Sequence, residues 1–550
     1  MSNPYIMDTS ISIEERCAVL ERENAAAAVA ISEARERCAL LEQQNAELTA
    51  KVKWFMEQFN LLKQKQYGAS SEKTVPGQEQ LSFFNEAESE SRGPTEGGCE
   101  RREPTVETIT YKRRKERGQR EEMLKDLPVE TVEYNLSPEE RVCPNCGETM
   151  HEMSVEVRQE LKVIPAQVKL VKHVRHVYSC RRCECEGTST PVVTAPAPAP
   201  VIPGSLASPS AVAHIMNQKY VEGLPLYRQE QQLSSLGIEL SRQTMANWMV
   251  YTSDKWLAPL YDRMREHLLR RDILQADETT LQVLREDGRE AESRSYMWMY
   301  RTGRDGPPIA LFDYKTTRAG KHPKKFLSGF RGYLQVDGYS GYDMLPSDIT
   351  LVGCWAHARR KFDEALKVLP VEKRASPSTA KEGLEYCNRL FDIEREYVNA
   401  APEVRYRVRQ EKSRPVLDEF RRWLERKTPE VLPQSLLGQA VRYCLNQWDK
   451  LQRFLLDGRL ELDNNRSERS IKPFVIGRKN WLFSNTPKGA RASAIIYSIV
   501  ETAKENGLIP FEYLRLLFER LPNLGEKDID EILPWSDSIP AACRSPRQNT

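Results

Sequence analysis

The chain has 550 residues, 40% hydrophobic and 29% charged, with a formal net charge of +2. That length exceeds one ordinary core and favours roughly two to four folded units. No apolar run approaches the roughly 20 residues of a membrane helix, and MSNPYIMDTS lacks the basic and apolar regions of a secretory signal, so the expectation is a cytoplasmic protein with no membrane partner.

The first element is a predicted coiled coil over residues 11–66. Ile13, Leu20, Ala27, Ala34, Leu41, Leu48, Phe55 and Leu62 form one series, and Cys17, Asn24, Ile31, Cys38, Asn45, Val52 and Phe59 the other. They alternate in steps of three and four without a slip, the seam of a left-handed coiled coil. Asn24 and Asn45 within one series favour a parallel, in-register pairing, so a homodimer or higher oligomer is expected.

Residues 67–120 read as a charged linker, poor in apolar residues. Its run YKRRKERGQR is basic enough to touch DNA phosphates, and a solvated tail accounts for it equally well. Residues 121–190 form a small unit with alternating apolar residues and two C-x-x-C pairs, Cys143/Cys146 and Cys180/Cys183. Four thiolates on two such knuckles suit a closed, structural Zn²⁺ site, and Cys185 is an additional candidate for the fourth ligand. The Pro-Ala run over 191–204 is a semi-rigid linker.

Residues 205–265 are helical and hold a predicted helix-turn-helix. Gly237 suits the turn and Ser241 the N-cap of the second helix, whose outer face would carry Arg242, Gln243 and Asn247 toward a major groove. A plain helical hairpin fits the same spacing. From about 270 the period changes. DILQADETTLQVL, SYMWMYRT and PIALFDY are consecutive strands, KHPKKFLSGF is helical, and GYLQVDGYSGY and ITLVGCWAH are strands again. This order predicts an α/β core with an antiparallel part, the order of an RNase H-like fold.

Asp277 and Asp337 each stand at a strand end, where converging carboxylates bind Mg²⁺ or Mn²⁺ rather than zinc. Gly338 is expected to let the chain turn close to the metal. In LDNNRSERSIKPF, Asn464, Glu468 and Lys472 recur every four residues and share a helix face, so Glu468 can join the aspartates while Arg469 and Lys472 lie near phosphate. Asp463 reads as an N-cap. Cys354-Trp-Ala-His357 reads as a strand-to-helix junction under the site. His357 is a candidate contact to phosphate, as are Arg359 and Arg360, with Lys361 beside them.

QADETTLQV, LQVDGYSGY, GCWAHARRKF and LDNNRSERSIKPFVIGRKNWLFSNTPKGARASA resemble the insertion sequence 66 family of bacterial DDE transposases. So do YGASSEK, CPNCG, CRRC, KYVEGLPLYRQEQ and LRLLFERLPN…DIDEILPW, and the resemblance runs from about residue 48 to 536. It implies an RNase H-like DDE catalytic domain over about 270–500, with a helical insertion at about 365–455 and a C-terminal helical segment over 501–540. It assigns Asp277, Asp337 and Glu468 as the three acids. It further implies metal-dependent cleavage at transposon ends, strand transfer into target DNA, small accessory proteins as partners, and a bacterial, nucleoid-associated location when DNA is bound. A catalytically silent DNA-binding regulator and a nuclease without strand transfer are the alternative readings.

Overall fold

The structure, a computed structural model, describes residues 13–67, 167–179, 192–369, 376–524 and 526–546. Cys143, Cys146, Cys180, Cys183 and Cys185 lie outside the described residues, as does the 68–120 part of the expected linker. The heptad segment is one uninterrupted helix, α1 (Ile13–Tyr67), and its apolar residues Leu20, Ile31, Leu41, Leu48, Val52 and Phe55 are exposed. In a separate unit, β1 (Val177–Ser179) and β2 (Val192–Thr194) pair antiparallel. Within the 121–190 unit of alternating apolar residues, the described residues 167–176 form no strand.

The unit carrying Pro200–Arg544 begins with α2 (Pro209–Tyr220), where Ser208 accepts a hydrogen bond from the Ala211 amide. Next comes α3 (Leu226–Ser235), then a turn in which Gly237 takes φ +78°, a conformation costly for a residue with a Cβ. Ser241 caps α4 (Arg242–Thr252) by accepting from the Thr244 amide at 3.2 Å. A π turn at Ser253–Leu257 then carries the helix on into α5 (Ala258–Leu269).

A five-stranded mixed sheet follows. β3 (Ile273–Gln282), β4 (Arg294–Thr302) and β5 (Ala310–Lys315) form an antiparallel meander; α6 (Lys321–Phe326) leads to β6 (Gly332–Gln335), and β7 (Ile349–Val352) completes it. The order is β5-β4-β3-β6-β7, with β6 parallel to β3 and β7 parallel to β6. The chain then enters α7 (Trp355–Lys367), α8 (Thr379–Glu396), α9 (Pro402–Val408), α10 (Arg414–Lys427), α11 (Leu436–Asn446) and α12 (Trp448–Leu451). It returns through α13 (Asn465–Trp481), α14 (Pro487–Glu505) and α15 (Pro510–Arg520). Among the described residues, no helix is long and apolar enough to cross a membrane.

Two apolar cores hold these layers. One joins Met216, Met249 and Leu260 of the early helices to Leu274, Met299 and Phe312 of the sheet and to Ile496 and Leu517 of α14 and α15. The helical stretch 205–265 therefore shares its core with the sheet. The second core is aromatic. Trp355 and Phe362 of α7 meet Phe420, Trp423, Trp448 and Phe454 of the inserted helices, with Ile273 and Val352 at the sheet side. The insertion is thus packed on the strand side of α7 rather than hung from a loop.

Candidate active site

β3 and β6 run parallel with Gln275 opposite Gln335. Continuing that register by two residues sets Asp277 and Asp337 level with each other, Asp277 still inside β3 and Asp337 just past the end of β6. Asp277 accepts a hydrogen bond from the Glu278 amide at 2.8 Å, and Asp337 from the Tyr339 amide at 2.9 Å. These bonds fix each carboxylate close to its own backbone.

The third acid arrives on α13, and a buried polar network fixes where that helix starts. Gln275 donates to Gln335 at 3.1 Å, and Gln335 donates to the Glu461 carbonyl at 2.6 Å. Asn464 donates to the Ala276 carbonyl at 3.0 Å, directly before Asp277. Ser467 lies 3.3 Å from Gln275 Oε1 and 2.8 Å from Asn464 Oδ1. Buried amides are costly to leave unsatisfied, so this set of partners resists sliding of α13 along β3. Asp463 is not the N-cap expected of it: Asn464 occupies that position, and Asp463, one residue earlier, accepts from the Asn465 amide at 3.0 Å.

Glu468 then faces inward. Its side chain is 2% exposed, and neither carboxylate oxygen receives a hydrogen bond from the described residues. Burial, followed by the nearby Asp277 charge, pushes its carboxyl up to about 9. Asp277 is also pushed well above the carboxylate range, by burial first and then by Glu278 and Asp337. Asp277 and Asp337 both raise Glu468, and Asp337 raises Asp277, so the three charges lie close enough to act on one another in a poorly solvated site. An orphaned buried carboxylate beside two aspartates is a donor set that fits a hard divalent cation.

On the other side of Glu468 stands His357, with Nε2 at 3.9 Å from Oε1. Burial, then Arg360 and Lys361, pull the imidazole down to about 3. The contact is therefore with a neutral ring, which offers a phosphate an N–H rather than a charge. Cys354 accepts a hydrogen bond from the Asn464 amide at 3.3 Å. Potential ligand atoms of Cys354, His357 and Glu468 lie within 4.8 Å of one another, a tighter set than the three acids themselves.

Some residues that matter here were not singled out from sequence. Glu278 is buried next to Asp277 and held up to about 7 by burial and by Asp337. Arg318 donates to it at 2.8 Å and Tyr342 at 2.6 Å. The Arg318 guanidinium also stacks 3.9 Å over the Tyr339 ring, with Asp337 at 3.9 Å. The adjacent acids in QADET were a signal for Glu278, whereas nothing in the spacing pointed to Arg318 or Tyr342. Gly338 has a different reason from the one expected. A Cβ there would lie 2.7 Å from the Tyr443 ring, so the glycine admits the insertion's tyrosine.

The remaining candidates separate. Arg360 is buried near Glu468, while Arg359 donates to Asn388 of α8 at 2.6 Å. Arg469 is exposed and Lys472 half-buried on α13. Arg242, Gln243 and Asn247 share the exposed face of α4, with Gln243 donating to Asn247 at 3.0 Å and Arg242 lying over the Tyr227 ring.

The family model described as "Transposase IS66 family" matches residues 204–492, which span all five strands of the sheet, the insertion and α13. The chain belongs to the IS66 transposase family. Further IS66 models match the zinc-finger binding domain at 140–184 and the C-terminal element at 498–535. A model described as "Transposase C of IS166 homeodomain" matches 54–132, starting within α1 and running into the segment read as a linker. Three uncharacterized proteins of Sinorhizobium fredii (strain NBRC 101917 / NGR234) are similar. Protein y4jD is 32% identical over 428 residues, 74% of this chain and 81% of its own length. Protein y4qI is 32% identical over 424 residues, 74% and 76%. Protein y4hP is 30% identical over 411 residues, 72% and 73%. The IS66 DDE domain implies phosphoryl-transfer chemistry on DNA.

Proposed function

We propose that this IS66 member is an active transposase that binds the ends of its own insertion sequence, cleaves a strand there and transfers it into target DNA. The observation that carries this reading is the buried Glu468 carboxylate, with both oxygens unsatisfied among the described residues and its carboxyl raised by the charges of Asp277 and Asp337. The strand order, a meander followed by two parallel strands, supports an RNase H-like core. Asp277, Asp337 and Glu468 would hold Mg²⁺ or Mn²⁺, which when bound supplies the positive charge that in-line phosphoryl transfer needs. The protein's own residues do the rest. The Gln275–Gln335–Asn464 network holds Glu468 in line, Arg318 and Tyr342 fix Glu278, and neutral His357 presents an N–H beside Glu468.

Outside the core, the zinc-finger match supports structural Zn²⁺ on Cys143, Cys146, Cys180 and Cys183. The exposed seam of α1 supports pairing of two chains, which would bring two DNA ends together. Arg242, Gln243 and Asn247 on α4 are the proposed groove contacts, and Arg359, Arg360, Arg469 and Lys472 the proposed phosphate contacts. The test is a strand-transfer assay with end DNA and a metal titration. Joined products that require Mg²⁺ or Mn²⁺ are expected; free nicked ends without joining would leave only a nuclease, and end binding without cleavage only a regulator.

The carboxylates also set a pH dependence. Glu278 at about 7 and Glu468 at about 9 are raised above their unfolded values, so their protonated forms stabilise the metal-free fold at low pH. That contribution is fully present below the ordinary carboxylate range and is lost progressively above it, completely by about pH 7 for Glu278 and about 9 for Glu468. Cations bind only the ionised groups, so Mg²⁺ is expected to raise the melting temperature by a few degrees at pH 8.5 and hardly at all at pH 6. An equal Mg²⁺ shift at both values would remove Glu468 from the metal site.

A further inference from the structure

The helix that delivers Glu468 ends in an unusual turn. Leu482 has φ 63° and ψ −49°, and it is the only non-glycine residue with positive φ among the described residues. The Phe483 amide donates back to the Trp481 carbonyl at 2.7 Å, closing a three-residue turn of the rare, strained kind. Leu482 is 65% exposed and Phe483 42% exposed. A branched apolar side chain gains nothing from being held at positive φ and pointed into water.

The turn is rigidly mounted. Trp481 packs against Tyr220 and Tyr497, and Lys219 sits 4.5 Å over its ring. Gly477 makes room for it, since a Cβ there would lie 2.3 Å from the indole. Beyond the turn, the Ser484 amide donates to Gln282 of β3 at 2.9 Å and the Leu284 amide donates to Ser484 at 3.0 Å. Two exposed apolar side chains are thus fixed between a packed helix end and a strand.

The surroundings of the tip are basic. Arg469, Lys472, Ile476 and Lys479 recur every three or four residues on the outward face of α13, leading from Glu468 to the turn. Lys488 stands exposed on the first turn of α14 just after it. An apolar tip flanked along the chain by cations complements a polyanion whose interior is apolar, namely stacked bases inside a phosphate rim.

We propose that Leu482 and Phe483 form a wedge that enters duplex DNA at the transposon end and unstacks a base pair, with the basic face of α13 holding the adjoining phosphates. This rests on the transposase reading above. Fourteen residues of helix separate Glu468 from Leu482, roughly 20 Å at 1.5 Å per residue. A duplex lying along this face therefore places the unstacked step roughly six base pairs from the scissile phosphate. Unstacking there costs energy that the wedge must supply, and it yields a bent end that reaches the acids.

The test uses the full chain with Ca²⁺ in place of Mg²⁺ and a duplex of the element's own terminal repeat joined to its flanking DNA. Thymine oxidation by permanganate and 2-aminopurine fluorescence report unstacking. The wild type is expected to raise reactivity about fivefold or more at one step near the predicted position. The Leu482→Gly/Phe483→Ala double variant, in which glycine relieves the strained φ, is expected to lose that signal, and Phe483→Trp to retain it. End binding without unstacking, or unstacking that persists in the double variant, overturns the wedge alone. A double variant that changes sedimentation without DNA while unstacking persists assigns the tip to a protein contact, and also overturns it. If the wild type does not retain the end duplex at all, the transposase reading falls and takes the wedge with it.

Discussion

Asp277→Asn is expected to lower Mg²⁺-dependent nicking of end DNA by about a thousandfold or more, while end affinity stays within about twofold. A thousandfold corresponds to roughly 4 kcal/mol of lost transition-state stabilisation. Asparagine keeps the shape of the side chain and the oxygen that accepts from the Glu278 amide. It removes only the charge. Asp277 raises Glu468, so the variant also relieves repulsion in the metal-free pocket. Its metal-free melting temperature is therefore expected to equal or exceed that of the wild type, and the Mg²⁺-induced rise to shrink. Gel-resolved nicking, end binding and thermal melts measure these separately. Nicking at the wild-type rate would remove Asp277 from the catalytic set.

The second large effect is expected far from the chemistry, at Arg409. It is 1% exposed in the helical insertion and holds Glu394 with two prongs at 2.6 and 2.7 Å. Its remaining donors reach the carbonyls of Phe454, Asp457 and Leu460 at 2.7–2.8 Å. Arg405 adds a third contact to Glu394 at 3.0 Å. Arg409→Leu would leave a buried carboxylate with one cation and take a donor from each of three carbonyls, of which Leu460 keeps Arg405 and Asp457 keeps the Leu460 amide. Breaking one side of a buried pair costs about 3–5 kcal/mol. The carbonyls concerned lie just ahead of Glu461 and Asn464, so loss of the clamp should loosen the start of α13 and reduce nicking along with stability. Urea unfolding and limited proteolysis of the insertion measure it. A double variant, Arg409→Leu/Glu394→Leu, is expected to recover part of the stability, because the stranded charge is gone. An unchanged urea midpoint in the single variant would show that the clamp is dispensable.

Sequence patterning exposed much of this fold for a physical reason: strands repeat every two residues and helices every three to four. The meander, the helical crossover and the two later strands were readable from DILQADETTLQVL to ITLVGCWAH, and so were Gly237 at its turn and Ser241 at its cap. Asp337 stood out because it ends a strand run, whereas Asp277, read the same way, lies in the middle of β3, which runs five residues beyond it. Glu468 depended on its motif, because its position is set by contacts across the 131 residues that separate it from Asp337. The Gln275–Gln335–Ser467 network was invisible for the same reason. Polar residues in a strand read as solvent-facing until the register of β6 and the return of α13 bury them. The core shared by helices 205–265 and α14 was equally hidden, since an amphipathic face does not say which partner covers it.

The late return of α13 has a consequence for synthesis. The two aspartates leave the ribosome on β3 and β6, but Glu468 follows only after the whole insertion. At about 5–20 residues per second the nascent chain spends roughly ten seconds or more with an incomplete acid set. α14, which packs on β5 through the Ser498 hydroxyl at the Phe312 amide and the Thr502 hydroxyl at the Ala310 amide, emerges later still. A ribosome-bound or prematurely terminated chain therefore carries sheet and aspartates without a competent cutter. On the proposed function, translation order would itself act as a safety catch, completing the acid set only after Glu468 and α14 have emerged.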